Sequence, residues 1–136
     1  MTNKFVIDTN TLISGSLFAN STTSLAIDKA LEIGDFYFSN ETFEEFISVL
    51  FRPKFDKYFT DENHRWLIID RFERFAKFKN PEIVIADCRD PKDNKFLELA
   101  CTINATCIIT GDEDLLILNP YKKILILNSS QFIEKF

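Results

Sequence analysis

The sequence has 136 residues, a length typical of one domain, and 46% of them are hydrophobic, including 15 phenylalanines. Its formal net charge of −5 argues against a large surface that binds phosphates regardless of sequence. The N-terminus lacks the pattern of a secretory signal, and no apolar run approaches the roughly 18 residues of a membrane span. We therefore expect a cytoplasmic protein without membrane contact, built as a single domain over residues 1–136.

The three cysteines, Cys88, Cys101 and Cys107, are spaced too irregularly for a zinc site or a disulfide framework. They form no Cys-x-x-Cys pair, and an odd number cannot all pair within one chain. Cys101 and Cys107 stand among apolar residues, so we expect them to be small buried side chains.

The first predicted element is a short apolar run at residues 5–7, followed directly by Asp8, Thr9 and Asn10. An uninterrupted apolar run is typical of a strand that is buried on both faces of a parallel sheet. Asp8 then lies at the carboxyl end of a strand, which is where ligands bind in open α/β sheets. It is either a hydrogen-bonded turn residue or part of a charged site, and its position alone leaves both open.

The rest of the chain alternates predicted helices with further short apolar runs. Apolar residues at helical spacing follow capping residues at Ser21–Thr23, Ser39 or Asn40, Thr60 or Asp61, Asp90, and Ser129 or Ser130. The predicted strands are residues 5–7, 36–38, 83–85, 107–109 and 124–127. This alternation predicts a parallel sheet covered on both faces, which is a three-layer α/β/α domain. Gly34 is predicted to end the second helix.

Positive charge is concentrated in residues 52–79, where eight lysines and arginines face five acids. Arg65, Arg71 and Arg74 lie on a predicted helix that also carries aromatic residues. Such a helix could contact phosphates and stack on bases, or it could be an ordinary solvated face with interleaved acids. The lone His64 at the start of this helix indicates a solvated or locally bonded side chain rather than a ligand.

Four acids fall where this architecture could bring them together. Asp8 follows the first predicted strand and Asp112 the fourth, so both project from one sheet edge if those strands are neighbours. Asp93 opens the helix before the fourth strand, and Glu45 flanks the apolar stripe of the third helix. A structural role is also open for two of them, because Asp93 could favour a helix dipole and Glu45 could be a surface residue.

Carboxylates that share one place repel each other unless a hard divalent cation lies among them. Oxygen-only ligands favour Mg²⁺ or Mn²⁺ over zinc, and such a site suits phosphodiester hydrolysis. Other phosphate chemistries fit less well. Three glycines cannot form a glycine-rich phosphate loop, and Asn10 stands where a phosphatase with Asp8 as nucleophile would carry its acid. His64, the one histidine, leaves no Ser/His/Asp arrangement.

The chain resembles the PIN-domain ribonuclease family, in particular the VapC-like toxins of toxin–antitoxin operons. The resemblance is carried by residues 6–10, 39–55, 88–97 and 109–115, which occur in the family's order. It implies a five-stranded parallel sheet of order 3-2-1-4-5, with the first and fourth strands side by side. It further implies Mg²⁺- or Mn²⁺-dependent endonucleolytic cleavage of RNA, a homodimer, and a cognate antitoxin protein that blocks the site.

The resemblance also assigns roles to individual residues. The catalytic metal ligands would be Asp8, Glu45, Asp93 and Asp112. The residues that support them would be Asn10, Thr110 and, as a candidate accessory acid, Asp114. RNA contacts would come from the basic segment, and the predicted ones are Arg52, Lys54, Arg71 and Arg74.

Two other functions stay open at this point. A DNA- or structure-specific nuclease is one, because an acid cage recognises phosphodiesters rather than sugars. A non-catalytic PIN-like binding module, whose acids are purely structural, is the other.

Overall fold

The computed structural model describes residues 2–136 and contains one sheet of five strands. The strands are β1 (Asn3–Ile7), β2 (Gly34–Phe38), β3 (Ala76–Phe78), β4 (Cys107–Ile109) and β5 (Leu125–Leu127). Every neighbouring pair is parallel, and the order is β3-β2-β1-β4-β5. Both the parallel sheet and its predicted order are confirmed, and β1 and β4 are indeed neighbours.

Helices connect the strands and cover the sheet. They are α1 (Thr9–Leu17), α2 (Thr22–Ile33), α3 (Asn40–Leu50), α4 (Glu62–Phe75), α5 (Asn94–Ile103), α6 (Glu113–Leu116) and α7 (Ser129–Lys135). Two short 3₁₀ turns, Pro53–Tyr58 and Pro91–Asp93, precede α4 and α5. No helix within residues 2–136 combines the length and the apolar character that crossing a bilayer requires.

Two hydrophobic cores lie on opposite faces of the sheet, which confirms the three layers. Phe5 and Ile7 of β1 point into one core, together with residues of α1 to α4 and α7. Val6 points into the other core, against α5 and the residues around α6. Side chains alternate between the two faces of a strand, so an unbroken apolar run is what a central strand needs.

Gly34 follows α2 as its C-cap residue, as predicted, and a close approach of two strands requires a glycine at this position. Its backbone is extended, and it already belongs to β2 beside Asn3 of β1. A Cβ atom on Gly34 would lie 2.6 Å from the carbonyl oxygen of Asn3 and 2.7 Å from the Phe5 ring. Any side chain here would therefore push β1 and β2 apart.

The predicted position of the third strand is wrong. Residues 83–85 form no strand, and Val84 is 93% exposed. The third strand is instead Ala76–Phe78, which pairs with Phe36–Phe38 of β2 directly after α4. The apolar residues of β3 extend the stripe of α4 without a break, so helical periodicity conceals them. Since β3 is a three-residue edge strand, it also needs little apolar character of its own.

Several smaller outcomes concern individual side chains. Arg65 does not lie on a solvated face: it is buried, its Nε atom donates to the Leu50 carbonyl, and its guanidinium pairs with Asp56 at 2.6 Å. His64 is exposed, as predicted. The last helix is capped by Asn128 rather than by Ser129 or Ser130. Cys107 is buried and Cys101 is partly buried among apolar residues.

Candidate active site

The carboxyl ends of β1 and β4 meet at one edge of the sheet, and Asp8 lies there. Its backbone N–H donates to the Ile109 carbonyl at 3.1 Å, which continues the pairing of the two strands. Its Oδ1 atom caps α1 by accepting from the Thr11 N–H at 2.8 Å. Asp8 is buried, and this burial raises the pKa of Asp8 although the hydrogen bonds from Thr11 and Thr110 oppose the rise.

Thr110 connects the acid of the first strand with the acid of the fourth. Its hydroxyl donates to Oδ2 of Asp8 and accepts from the backbone N–H of Asp112 at 3.0 Å. The Thr110 side chain is fully buried at the end of β4. Asp112 in turn caps α6 by accepting from the Asp114 N–H at 2.9 Å. Thr110 thus fixes the spacing between Asp8 and Asp112.

Asp93 lies at the start of α5, near Asp112. Unlike that of Asp8, its carboxylate accepts no hydrogen bond from a backbone N–H group or from a threonine hydroxyl within residues 2–136. Its Oδ2 atom is buried and has no hydrogen-bond partner within residues 2–136. Its side chain makes no capping bond to α5, whereas Asp90 caps the preceding turn. Burial and the adjacent Asp112 carboxylate raise the pKa of Asp93 to about 8, with smaller contributions from the charges of Asp90 and Asp8.

Glu45 lies nearby but has partners of its own. The hydroxyl of Thr9 donates to its Oε1 atom, and the ammonium group of Lys95 donates to Oε2. The Lys95 side chain is only 12% exposed, so this ion pair is well shielded from water. Glu45 is therefore bonded to Thr9, the residue after Asp8, and to Lys95, two residues after Asp93, and its charge is already compensated.

A cleft of about 450 Å³ opens in front of Asp8 and Asp112. Its remaining wall is polar and uncharged, formed by the first turns of α1, α2 and α7. The residues of this wall are Asn10, Thr11, Ser14, Thr22, Thr23, Gly111, Asn128, Ser129 and Ser130. We call this space the acid cleft. It gives a ligand access to the carboxylates, and it surrounds that ligand with hydroxyl and amide groups.

The other predicted residues lie further out. Asn10 is exposed on the wall of the acid cleft. Asp114 pairs with Arg89 at 2.8 Å. Arg71 pairs with Asp28. The remaining predicted RNA contacts are Arg74, which pairs with Asp70 at 2.7 Å, and Arg52 and Lys54, which are exposed.

The donor chemistry of the site fits a hard divalent cation. Asp8, Asp93 and Asp112 offer carboxylate oxygens, and the orphaned Oδ2 of Asp93 is the kind of buried acceptor that a cation would satisfy. Within residues 2–136, however, no three acidic, histidine or cysteine side chains already stand together as a complete metal-binding set. Ligand binding would thus require the acidic side chains to move closer together.

Sequence reasoning missed three residues that hold these acids. Thr9 and Lys95 bond Glu45, and Arg89 pairs with Asp114. Each of the three lies within four residues of Asp8 or Asp93 in the sequence. Closeness to the predicted acids was therefore the available signal. Spacing alone could not show it, because both Glu45 bonds join residues that are at least 36 positions apart.

Comparisons with known proteins show the family of this chain. The family model described as PIN domain matches residues 4–114. An uncharacterized protein of Methanocaldococcus jannaschii is 34% identical over 142 residues, an alignment that covers 98% of this chain and 91% of that protein.

Two solved structures share the fold at low sequence identity. One is VapBC2 from Rickettsia felis bound to a DNA fragment from its promoter, with a TM-score of 0.62, 9% identity, and coverage of 92% of this chain and 98% of that one. The other is PAE2754 from Pyrobaculum aerophilum, with a TM-score of 0.65, 12% identity, and coverage of 98% and 88%.

Proposed function

This chain belongs to the PIN-domain family, whose members are generally nucleases, and on that premise we propose that it is a metal-dependent endoribonuclease. The reaction would be hydrolysis of an RNA phosphodiester bond: water adds to phosphorus, and the bond to the leaving oxygen breaks. The observation that carries the proposal is the buried, partnerless Oδ2 of Asp93 beside the carboxylates of Asp8 and Asp112.

Purely structural acids would not leave this atom unsatisfied. Asp8 and Asp112 both cap helices, so their positions alone are compatible with a binding module that has no activity. Asp93 is the N-cap residue of α5, but its side chain makes no capping hydrogen bond, and its charged form is disfavoured where it lies. A buried acceptor that costs stability in the metal-free protein is expected where function requires it.

We propose that Asp8, Asp93 and Asp112 hold Mg²⁺ or Mn²⁺, with Glu45 as the outermost acid of the set. When bound, such an ion neutralises the carboxylates and stabilises the negative charge that develops on the phosphate. Thr110 holds Asp8 in one orientation through its hydroxyl. The ammonium group of Lys95 compensates the charge of Glu45, which limits the negative charge that repels an approaching phosphate.

The acid cleft would bind the substrate strand. Its wall offers neutral donors, including Asn10 and Ser14, that can bond to phosphate oxygens and sugar hydroxyls without competing with the carboxylates for the ion. Of the predicted basic residues, we propose that Arg52 and Lys54 contribute more to RNA binding than Arg71 and Arg74. Arg71 is already paired with an aspartate, which weakens its attraction for phosphate.

The biological role that we propose is that of the toxin in a type II toxin–antitoxin pair. It is supported by the fold shared with VapBC2, in whose structure such a pair is bound to a promoter fragment. An antitoxin protein would then block the acid cleft, and the active form would be a homodimer. Co-expression with the product of an adjacent small gene, followed by purification through one tagged chain, tests the pairing.

A cleavage assay tests the activity. The purified chain is incubated with single-stranded RNA and with single-stranded DNA of matched sequence, each with Mg²⁺, with Mn²⁺, and with excess chelator. We expect RNA to be cut with either metal and to stay intact with the chelator. Cleavage of DNA at an equal rate would instead indicate the DNA- or structure-specific nuclease, and no cleavage of either would indicate a binding module.

A further inference from the structure

A second cleft adjoins the acid cleft and has a different chemistry. It encloses about 290 Å³ between α1 and the 3₁₀ turn Pro53–Tyr58. Asn10 and Ser14 line both clefts, so the two share a wall. The first is acidic and hydroxyl-rich, whereas the far side of the second is formed by aromatic rings and a lysine.

Two of these rings are exposed. Phe18, at the end of α1, is 48% exposed, and Tyr58, at the end of the 3₁₀ turn, is 38% exposed. They pack edge to face, with ring centroids 5.4 Å apart. This contact holds the two rings against each other while each keeps part of its surface exposed to solvent. Together they give the second cleft an exposed aromatic border.

Unpaired positive charge surrounds the rings. The ammonium group of Lys57 lies 5.2 Å from the Tyr58 ring centroid, and that of Lys54 lies 5.0 Å from the Phe55 centroid. Arg52, Lys54 and Lys57 are exposed, and none of the ion pairs within residues 2–136 involves them. Two lysines over aromatic rings, together with Arg52 at the start of the same 3₁₀ turn, form a group of free cations in a chain whose net charge is −5.

We propose that this surface, the aromatic rim of Phe18, Tyr58, Arg52, Lys54 and Lys57, binds the unpaired RNA segment next to the phosphate that is cut. One base stacks on the exposed part of the Phe18 or the Tyr58 ring, and the flanking phosphates lie at the lysines and the arginine. Stacking platforms combined with basic side chains are how proteins hold single-stranded nucleic acid without reading its sequence. The proposal rests on the ribonuclease function, and it specifies a single-stranded substrate.

Continuity with the acid cleft favours RNA over a protein as the occupant. A strand whose phosphate lies at Asp8 and Asp112 passes Asn10 and Ser14 and arrives directly at the rim. The positive charge of the rim also complements a polyanion.

Binding in the presence of chelator isolates the rim from catalysis. A fluorescein-labelled single-stranded RNA of about ten nucleotides is titrated with the wild-type chain and with the double variant Phe18→Ala/Tyr58→Ala. We expect the double variant to bind at least about tenfold more weakly, as befits the loss of one stacked base. Tyr58→Phe keeps the ring and should bind like wild type. Leu67→Ala removes an even more exposed apolar side chain elsewhere, on α4, and should have no effect.

The cations are tested by salt dependence. Lys54→Gln/Lys57→Gln should flatten the slope of log affinity against log salt by about 0.7 for each phosphate that the variant no longer neutralises. Arg71→Gln/Arg74→Gln, which removes two paired cations, is the matched control and should change the slope less. In cleavage assays with metal, the Phe18→Ala/Tyr58→Ala variant should raise KM at least about tenfold and leave kcat within about twofold.

The outcomes separate this inference from the function on which it rests. A wild-type chain that neither binds nor cuts RNA overturns both. If it cuts RNA, and the Phe18→Ala/Tyr58→Ala variant keeps the wild-type affinity and KM, the rim is no RNA site while the nuclease stands. If those variants change only the mass in light scattering, with RNA affinity intact, the inference also fails and the rim is a protein contact.

Discussion

Asp93 and Glu45 are acids at the same end of the sheet, and they differ in how their charge is compensated. Glu45 accepts from Thr9 and Lys95, so the protein itself satisfies both of its carboxylate oxygens. Asp93 has a buried oxygen with no partner in the described chain and two further carboxylates beside it. On the proposed function, this difference indicates where a cation would be needed: the unsupported Asp93 would depend on one, and the supported Glu45 would not.

The largest expected effect separates these two acids directly. Asp93→Asn removes a ligand without changing the size of the side chain, and we expect RNA cleavage to fall by more than about 100-fold, beyond the 10–100-fold typical of residues that only orient a ligand. Glu45→Gln should cost less, because the charge of Glu45 is already paired with Lys95.

The measurement is kcat/KM at saturating Mn²⁺, with Glu44→Gln as the control for loss of an exposed acid on the same helix as Glu45. If Asp93→Asn and Glu45→Gln lowered kcat/KM equally, the proposed difference between the roles of the two acids would be contradicted.

A smaller effect is expected at Thr110, which supports Asp8 without being a ligand. Thr110→Val leaves Oδ2 of Asp8 and the Asp112 N–H without the hydroxyl that joins them. We expect a 10–100-fold lower affinity for Mn²⁺ or lower activity, which is the usual cost of losing an orienting partner. Thr110→Ser keeps the hydroxyl and should recover most of the loss. A serine variant as impaired as the valine variant would mean that packing, not the hydrogen bond, matters here.

The stability of the metal-free protein should depend on pH through Asp93. The pKa of Asp93 is raised from 3.8 to about 8 by burial and by Asp112, so the folded chain holds a proton that the unfolded chain releases. Between about pH 4 and pH 8 the folded state therefore binds more protons, and stability falls as the pH rises.

Thermal melts in chelator check this prediction. We expect Tm to fall across that pH range, with a shallower fall in Asp93→Asn, and the variant should melt above the wild type at pH 8. Glu44→Gln again serves as the control. A wild-type Tm that rises steadily with pH would contradict the assigned shift.

The resemblance to the PIN-domain family implied the sheet order, which the structure has. The apolar runs that end in an acid indicated that Asp8 and Asp112 lie at one sheet edge, and the structure joins them through Thr110. Strand β3 could not be predicted, because Ala76–Phe78 continues the apolar stripe of α4 and because the stronger apolar run at 83–85 is a loop. Partners remote in sequence, such as Lys95 for Glu45 and Tyr58 for Phe18, depend on tertiary packing that no spacing encodes.

The most direct test is calorimetric titration with Mn²⁺ at neutral pH. We expect the wild-type chain to bind the ion, and we expect both Asp93→Asn and Asp8→Asn to lose this binding while still melting cooperatively. Equal Mn²⁺ affinity in the wild type and in Asp93→Asn would show that the buried, partnerless carboxylate oxygen has no part in holding a cation.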